Sequence, residues 1–288
     1  MKKVKKVFLV LLRMSLVPYF FREILQRKKV TIILYHSIKP PLADLHFKVL
    51  REKYNIISLR DYVASRTSKN RGDRLPAKPL IVTFDDGHQS NYDLLPIFKR
   101  HNIPAVIFLC SGIVNTTRHF WFTHLADMGM VQSLKRVPNQ ERLELLRGYG
   151  FDATREFNDR QGLSKEEIEE MKDVVDFQSH TIFHSILPQC PGDLAYEEIT
   201  ESKKEMEKEY GLDIYAFSYP NGSYSEREVS IARNAGYTCG VTMDLGFNSE
   251  KTDLFRLKRI PINDDANITE LLVKTSGLWG YLKKILKG

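Results

Sequence analysis

The chain has 288 residues, 42% of them apolar and 27% charged, the balance of a soluble protein with material for one large α/β domain. Its net charge of +7 is held unevenly: residues 1–30 carry nine lysines and arginines against Glu23, a net +8, so everything after residue 30 sums to −1. A body so close to neutral offers no basic groove, which argues against nucleic-acid binding by the globular part. The three cysteines, Cys110, Cys190 and Cys239, are widely spaced and form no Cys-x-x-Cys, so they read as reduced thiols without chemistry.

In chain order, residues 1–28 come first. Val7, Val10, Met14, Val17, Phe21 and Leu25 recur at helical spacing, with Lys6, Arg13 and Arg27 off that stripe. The apolar run is broken by Arg13 and Pro18 and falls short of the ~20 residues that span a bilayer. It lacks a small-x-small cleavage site, so a cleaved signal peptide is not expected. A basic amphipathic helix lying in an anionic membrane surface fits best; a helix packed on the body, or an uncleaved anchor, is the alternative. A strand follows at Val30–Tyr35, ending in His36, then a helix over Leu45–Tyr54, a short strand at Asn55–Leu59 and an exposed loop over 65–79. Next come a strand at Leu80–Phe84, a helix over Ser90–His101 and a strand at Pro104–Leu109.

The stretch 112–173 is longer than one crossover needs and reads as two or three helices, the last opened by a capping box at Ser164-Lys-Glu-Glu. It forms either a lid or an outer layer. After a strand at Val174–His180, a helix over Leu194–Tyr210 stops at Gly211. A strand at Ile214–Tyr219, a helix over Glu226–Ala235 stopped by Gly236, and a strand at Tyr237–Met243 complete the alternation. The pattern predicts a parallel sheet of about seven strands closed as a distorted (β/α) barrel over 29–266. Residues 267–288 form a second basic amphipathic tail.

Two stretches carry chemistry. Leu80-Ile-Val-Thr-Phe ends in Asp85-Asp86-Gly87, a buried parallel strand delivering two acids to its C-terminal end. Neighbouring side chains point apart there, so one acid can hold a metal while the other takes a proton; the plainer reading is acids that cap the next helix. Downstream, His180 and His184 are spaced to meet one metal ion from a single turn. With Asp86 as third ligand they leave positions open for water and substrate, the pattern of catalytic zinc.

Together, Thr83-Phe-Asp-Asp-Gly87 and Ser179-His-Thr-x-x-His184 resemble the polysaccharide deacetylase family, the proteins sharing the NodB-type homology domain. Five short segments spread over about residues 30–265 carry the likeness. The resemblance implies Asp85 as general base, Asp86, His180 and His184 as ligands of one divalent metal (Zn²⁺, with Co²⁺, Ni²⁺ or Mn²⁺ as alternatives), and removal of N-acetyl groups from an amino sugar. Phe217-Ser-Tyr-Pro-Asn-Gly222 stands where the family carries Arg-x-Pro-Tyr. Pro220 has no N–H, so the Asn221 N–H is the expected oxyanion donor, with Tyr219 beside it on the substrate side. Ser218 replaces the family's base-orienting arginine, a role that Arg256 or Arg259 could take. The family's late Leu-x-His is absent, since no histidine follows His184. The chain is similar instead to the branch acting on poly-N-acetylglucosamine, with Tyr-His on the first strand and Tyr-Pro-x-Gly together, which makes His36 the candidate acid. The expected partners are an acetylated glycan or a lipid-linked saccharide and an anionic membrane surface, at the cytoplasmic face or anchored and facing outward. The competing readings are a deformylase of another lipid-linked sugar, and a glycan- or lipid-binding module that has lost catalysis.

Overall fold

The computed structural model describes residues 2–68, 75–124 and 129–285; parts of the expected 65–79 loop, of the 112–173 stretch and of the C-terminal tail lie outside these residues. The strands are Thr31–Tyr35 (β1), Asn55–Ile56 (β2), Pro79–Phe84 (β3), Val106–Leu109 (β4), Asp176–Ser179 (β5), Ala216–Ser218 (β6), Cys239–Val241 (β7) and Ile260–Pro261 (β8). The helices are Lys2–Met14 (α1), Val17–Phe20 (α2), Pro40–Lys53 (α3), Leu59–Thr67 (α4), Leu95–His101 (α5), Val131–Leu134 (α6), Asn139–Gly148 (α7), Lys165–Met171 (α8), Gly192–Tyr210 (α9), Glu226–Asn234 (α10), Ile268–Thr275 (α11) and Leu278–Ile285 (α12). They divide between two compact units, one of residues 1–84, 93–106 and 243–288, the other of residues 85–92 and 107–242.

In the first unit, β1 pairs in parallel with β3 and with β8, and β2 pairs in parallel with β3. Every residue of β1 and β3 is buried, as their unbroken apolar runs require of strands covered on both faces. The rings of Tyr35, Phe47, Phe84 and Phe98 interlock at centroid separations of 5.5–6.3 Å. The expected 55–59 strand is cut to two residues because Ser58 caps α4, accepting from the Asp61 N–H at 2.9 Å. α3 starts earlier than its apolar pattern does, with a proline in its first turn.

The N-terminal stripe does not form one helix. Leu16 adopts a left-handed backbone (φ 59°) and separates α1 from α2 and the π turn Phe21–Leu25. Leu9 is buried, and Arg13 donates to the Thr269 hydroxyl of α11 at 2.9 Å. Phe8 lies near Trp279 and Phe21 near Tyr281 of α12, with ring centroids 6.5 and 5.5 Å apart. The two ends of the chain thus pack together in this unit, while Val7, Val10, Leu11 and Met14 of the stripe region stay exposed.

The second unit carries β4 from its second residue, β5, β6 and β7. Parallel pairing joins β5 to β6 at Ser179↔Phe217 and β6 to β7 from Ala216↔Cys239 to Ser218↔Val241. α9 ends on Gly211 in the left-handed region (φ 63°) and α10 ends just before Gly236 (φ 84°), as the glycines predict. The expected capping box at Ser164 and Glu167 opens α8. Trp121, Leu134, Leu146 and Phe151 form one core cluster with Ile186 of the segment after β5, so the long stretch is a packed layer rather than a free lid. All three cysteines are buried and unpaired.

Candidate metal centre

Asp85 and Asp86 follow β3 directly, and the chain turns sharply there: Asp86 and Gly87 both have positive φ, 74° and 71°. A Cβ on Gly87 would sit 2.5 Å from the Leu109 side chain, so any other residue there would force that buried side chain to shift. The end of the long stretch pins this turn, with the Leu163 N–H donating to the Gly87 carbonyl at 2.9 Å and the Gln89 N–H to the Gln161 carbonyl at 2.7 Å. His180 follows β5, but the turn from His180 to His184 is irregular rather than helical, with Thr181 and His184 both left-handed (φ 69° and 56°). Buried Glu198 of α9 holds it by accepting from the N–H groups of Ile182 and Phe183 and from the Ser185 hydroxyl, at 2.8, 3.1 and 2.6 Å. The Trp121 indole N–H donates to the His184 carbonyl at 3.1 Å, and the Phe122 ring meets the His184 ring edge-on at 4.9 Å.

The turns bring Asp86, His180 and His184 together. Nε2 of each histidine lies 3.5 Å from Asp86 Oδ1, and the three potential ligand atoms lie within 4.8 Å of one another. All three residues are buried. Asp86 Oδ1 is buried without a hydrogen-bond partner among the described residues, an expensive state for a carboxylate unless a cation completes it. His180 Nδ1 donates to the Ser218 carbonyl at 2.7 Å, and His88 Nε2 donates to Asp86 Oδ2 at 3.1 Å. Each bond turns the opposite atom of its ligand inward, the support that metal ligands usually have. The donor set therefore fits a divalent ion.

The charges agree. Burial works to raise the Asp86 pKa, but the His180 and His88 imidazoles hold it well below the usual carboxylate range. Burial lowers His184 to about 3, so it is neutral and free to ligate. For His180 burial also lowers, yet the charges of Asp85 and Asp86 win and raise it.

Asp85 is buried beside the triad, its Oδ2 3.9 Å from His180 Nε2. The Ser218 hydroxyl donates to both Asp85 oxygens, at 3.2 and 3.3 Å. The serine that replaces the family arginine thus itself contacts the expected base, while its carbonyl orients His180.

Asn221, in the turn after β6, is left-handed (φ 57°), and its side-chain oxygen accepts from Lys135 at 2.7 Å. Lys135 comes from the C-terminal end of α6; burial lowers its pKa, and the Asp86 charge pulls the other way. The Tyr219 ring is fully buried between Phe217 and Tyr224. In the first unit, His36 follows β1 and is half-buried, with its N–H donating to Asp264 at 3.2 Å. There too, Arg259 is fully buried, 3.4 Å from the Thr83 hydroxyl, and Arg256 lies 3.9 Å from Asp253. His88 and Lys135 are missing from the sequence reading. His88 had a signal, standing two residues after Asp86; Lys135 had none.

Residues 72–240, more than half of the chain, match the polysaccharide deacetylase family. The chain belongs to that family. This deacetylase is 24% identical over 247 residues to YxkH of Bacillus subtilis (strain 168), covering 82% of this chain and 72% of that one. It is 24% identical over 219 residues to the poly-beta-1,6-N-acetyl-D-glucosamine N-deacetylase of Staphylococcus epidermidis, covering 72% of this chain but 61% of that one. Among solved structures it is similar to the Streptococcus pyogenes deacetylase PplD in complex with acetate, at TM-score 0.64 and 24% identity over 86% of this chain and 99% of that one. IcaB from Ammonifex degensii follows at TM-score 0.61 and 19% identity, over 88% and 98%. The distorted (β/α) barrel expected from the sequence is the fold of these deacetylases, and the enzyme is a carbohydrate deacetylase, a hydrolase of C–N bonds.

Proposed function

We propose that this deacetylase removes N-acetyl groups from an acetylated amino sugar carried on a glycan or a lipid-linked saccharide. The observation that carries the reading is a metal-type triad, Asp86, His180 and His184, with a second buried carboxylate, Asp85, 3.9 Å from one of its histidines. A binding module has no use for that second acid. The deacetylase of poly-beta-1,6-N-acetyl-D-glucosamine among its relatives supports the amino-sugar substrate.

Asp86, His180 and His184 would hold the ion. Two imidazoles and one carboxylate with open positions favour Zn²⁺, with Co²⁺, Ni²⁺ and Mn²⁺ as substitutes. Bound there, it would lower the pKa of a water and act as a Lewis acid toward the acyl carbonyl. Asp85 takes the proton of the attacking water, held in line by Ser218. The Asn221 N–H donates to the oxyanion of the tetrahedral species, in the turn that Tyr219 and Pro220 form. The departing amine needs a proton, and His36 is the acid we assign. Lys135 is the second candidate, because its contact to Asn221 ties it to the expected oxyanion donor. Between the two arginines, burial and the contact to Thr83, two residues before Asp85, favour Arg259 over Arg256 for orienting the base.

We place the enzyme on an anionic membrane surface, at the cytoplasmic face. No helix among the described residues is long and apolar enough to cross a membrane. Instead Val7, Leu11, Met14, Leu16, Phe20 and Ile24 are each more than half exposed, on a segment whose net charge is +8. Exposed apolar side chains beside clustered lysines suit anionic headgroups, and a surface-bound enzyme suits a lipid-linked substrate.

The test is acetate release by purified protein, with and without chelator, from N-acetylated amino-sugar oligomers and from lipid-linked sugars. Chelator-sensitive release from either supports the reading; formate instead of acetate would move it to a deformylase, and no release from any would overturn it. Sedimentation with anionic vesicles tests the membrane, where equal binding by a chain shortened to start at Lys29 would remove the N-terminal segment from the account.

A further inference from the structure

Arg142 of α7 is 1% exposed, and among the described residues its Nε and Nη1 have no hydrogen-bond partner. Its Nη2 donates to the neutral Asn139 side chain, and its guanidinium lies 4.8 Å from the Trp121 ring centroid. A buried guanidinium with two idle nitrogens is costly, because neither an amide nor a ring face replaces the water it gave up.

The residue does not face solid core. It lines a cavity of about 300 Å³ together with His119, Asn139, Arg147 and Thr154, a volume at the lower end for ligand sites. Two acids also line it, and both are engaged elsewhere. Glu198 accepts from Ile182, Phe183 and Ser185. Asp152 accepts from the Thr154 N–H and hydroxyl and faces Arg147 at 4.0 Å. Neither bonds Arg142. The cavity is also near the chemistry, since Trp121, under the guanidinium, donates to the backbone of the ligand His184, and Phe183 and Ser185 on either side of that ligand are part of its wall.

We propose that this cavity receives an anionic group, a carboxylate or a phosphate, of the saccharide whose acetyl group lies at the triad, with Arg142 as its hydrogen-bonding fork. The proposal rests on the deacetylase reading and narrows its substrates to acidic or phosphorylated saccharides. Arginine suits the task, since its planar donors match both anions bidentately.

The experiment is titration calorimetry on the full-length, metal-loaded enzyme with inorganic phosphate and with glucuronate, glucose serving as the neutral control. The expected result is saturable binding of at least one anion and none of glucose, weakened about tenfold or more in Arg142→Met and by a smaller factor in Arg142→Lys. Arg142→Met should unfold no more easily than the wild type without ligand, as removal of an unpaired buried charge predicts. On N-acetylated oligosaccharides, the acidic ones should show a raised KM with little change in kcat, and the neutral ones no change. Should Arg142→Met prove unfolded, Arg142→Lys alone decides by the same titration. Undiminished anion binding in the folded variants would place the anion elsewhere and overturn the proposal, as would no anion binding by the wild type. Failure of the deacetylase reading would show separately, as no turnover of either acidic or neutral N-acetylated oligosaccharides with anion binding intact.

Discussion

Ser218→Ala is the sharpest probe of how Asp85 is held. It removes a hydroxyl that donates to both oxygens of Asp85 at 3.2 and 3.3 Å and leaves the carbonyl that orients His180 in place. Hydrogen bonds to a charged group are worth about 1.5–3 kcal/mol. Bonds from hydroxyl to carboxylate run to about 2.5–2.7 Å when strong, so these longer ones belong at the low end, and about 1.5 kcal/mol is the stake. At ~1.4 kcal/mol per decade of rate, kcat should fall roughly tenfold. Metal content should stay whole, because Asp86, His180 and His184 keep their contacts. The lost hydroxyl leaves a space smaller than a water, so stability should drop by no more than ~1 kcal/mol. Steady-state deacetylation paired with metal analysis reads both quantities. Wild-type kcat with full metal would show that Ser218 does nothing for the base, and metal loss would show that its backbone moved.

Asp85→Asn should keep metal and fold while turnover drops about 10²–10⁴-fold, as for any residue that moves the reaction's proton; near-normal turnover would take the base assignment away. The same variant has a second readout. Burial lowers the His180 pKa but the Asp85 and Asp86 charges raise it overall, so the proton competes with metal for this imidazole from a higher pH than for a free one. Below that raised value protons hold the imidazole and metal affinity should fall with pH, and Asp85→Asn, lacking a charge that favours a divalent ion more than a single proton, should release metal at a pH no lower than the wild type; retention to lower pH in the variant would refute the cause. Between the two candidate acids, His36→Ala and Lys135→Met separate the roles, the true acid losing turnover with metal retained and flattening the alkaline limb of the pH–rate profile. Gly87→Ala forces a methyl to within 2.5 Å of Leu109 at φ 71°. Left-handed strain of about 1–2 kcal/mol and overpacking of about 1–3 kcal/mol should together cost about 2–5 kcal/mol in urea unfolding, and a change below ~0.5 kcal/mol would mean that the turn gives way cheaply.

Much of the site could be read before any coordinates, because its chemistry is concentrated in short segments. Asp85-Asp86 at the end of an apolar run and the His180–His184 pair announce themselves by residue type and local spacing. Gly211, Gly236 and the Ser164–Glu167 box marked helix ends for the same reason: a cap depends on a few consecutive residues. The N-terminal stripe shows the limit of local pattern. Its spacing fits one helix, but Leu16 turns left-handed and the ends pack on α11 and α12, a choice made by contacts more than 250 residues apart.

What the sequence by itself determined was therefore the family and the residue types of the metal-type triad, which rest on side-chain chemistry within a few residues, and the family resemblance offered Asp85 as the base. Only the tertiary structure decided who supports them. Ser218 lies 133 residues from Asp85 and Lys135 lies 86 from Asn221, and hydrogen bonding at such separations leaves no period or motif to read. The buried nitrogens of Arg142 are the extreme case. In the sequence Arg142 is one more charge on an amphipathic helix, and only packing, by removing its water and leaving a cavity beside it, turns that charge into a demand for a partner.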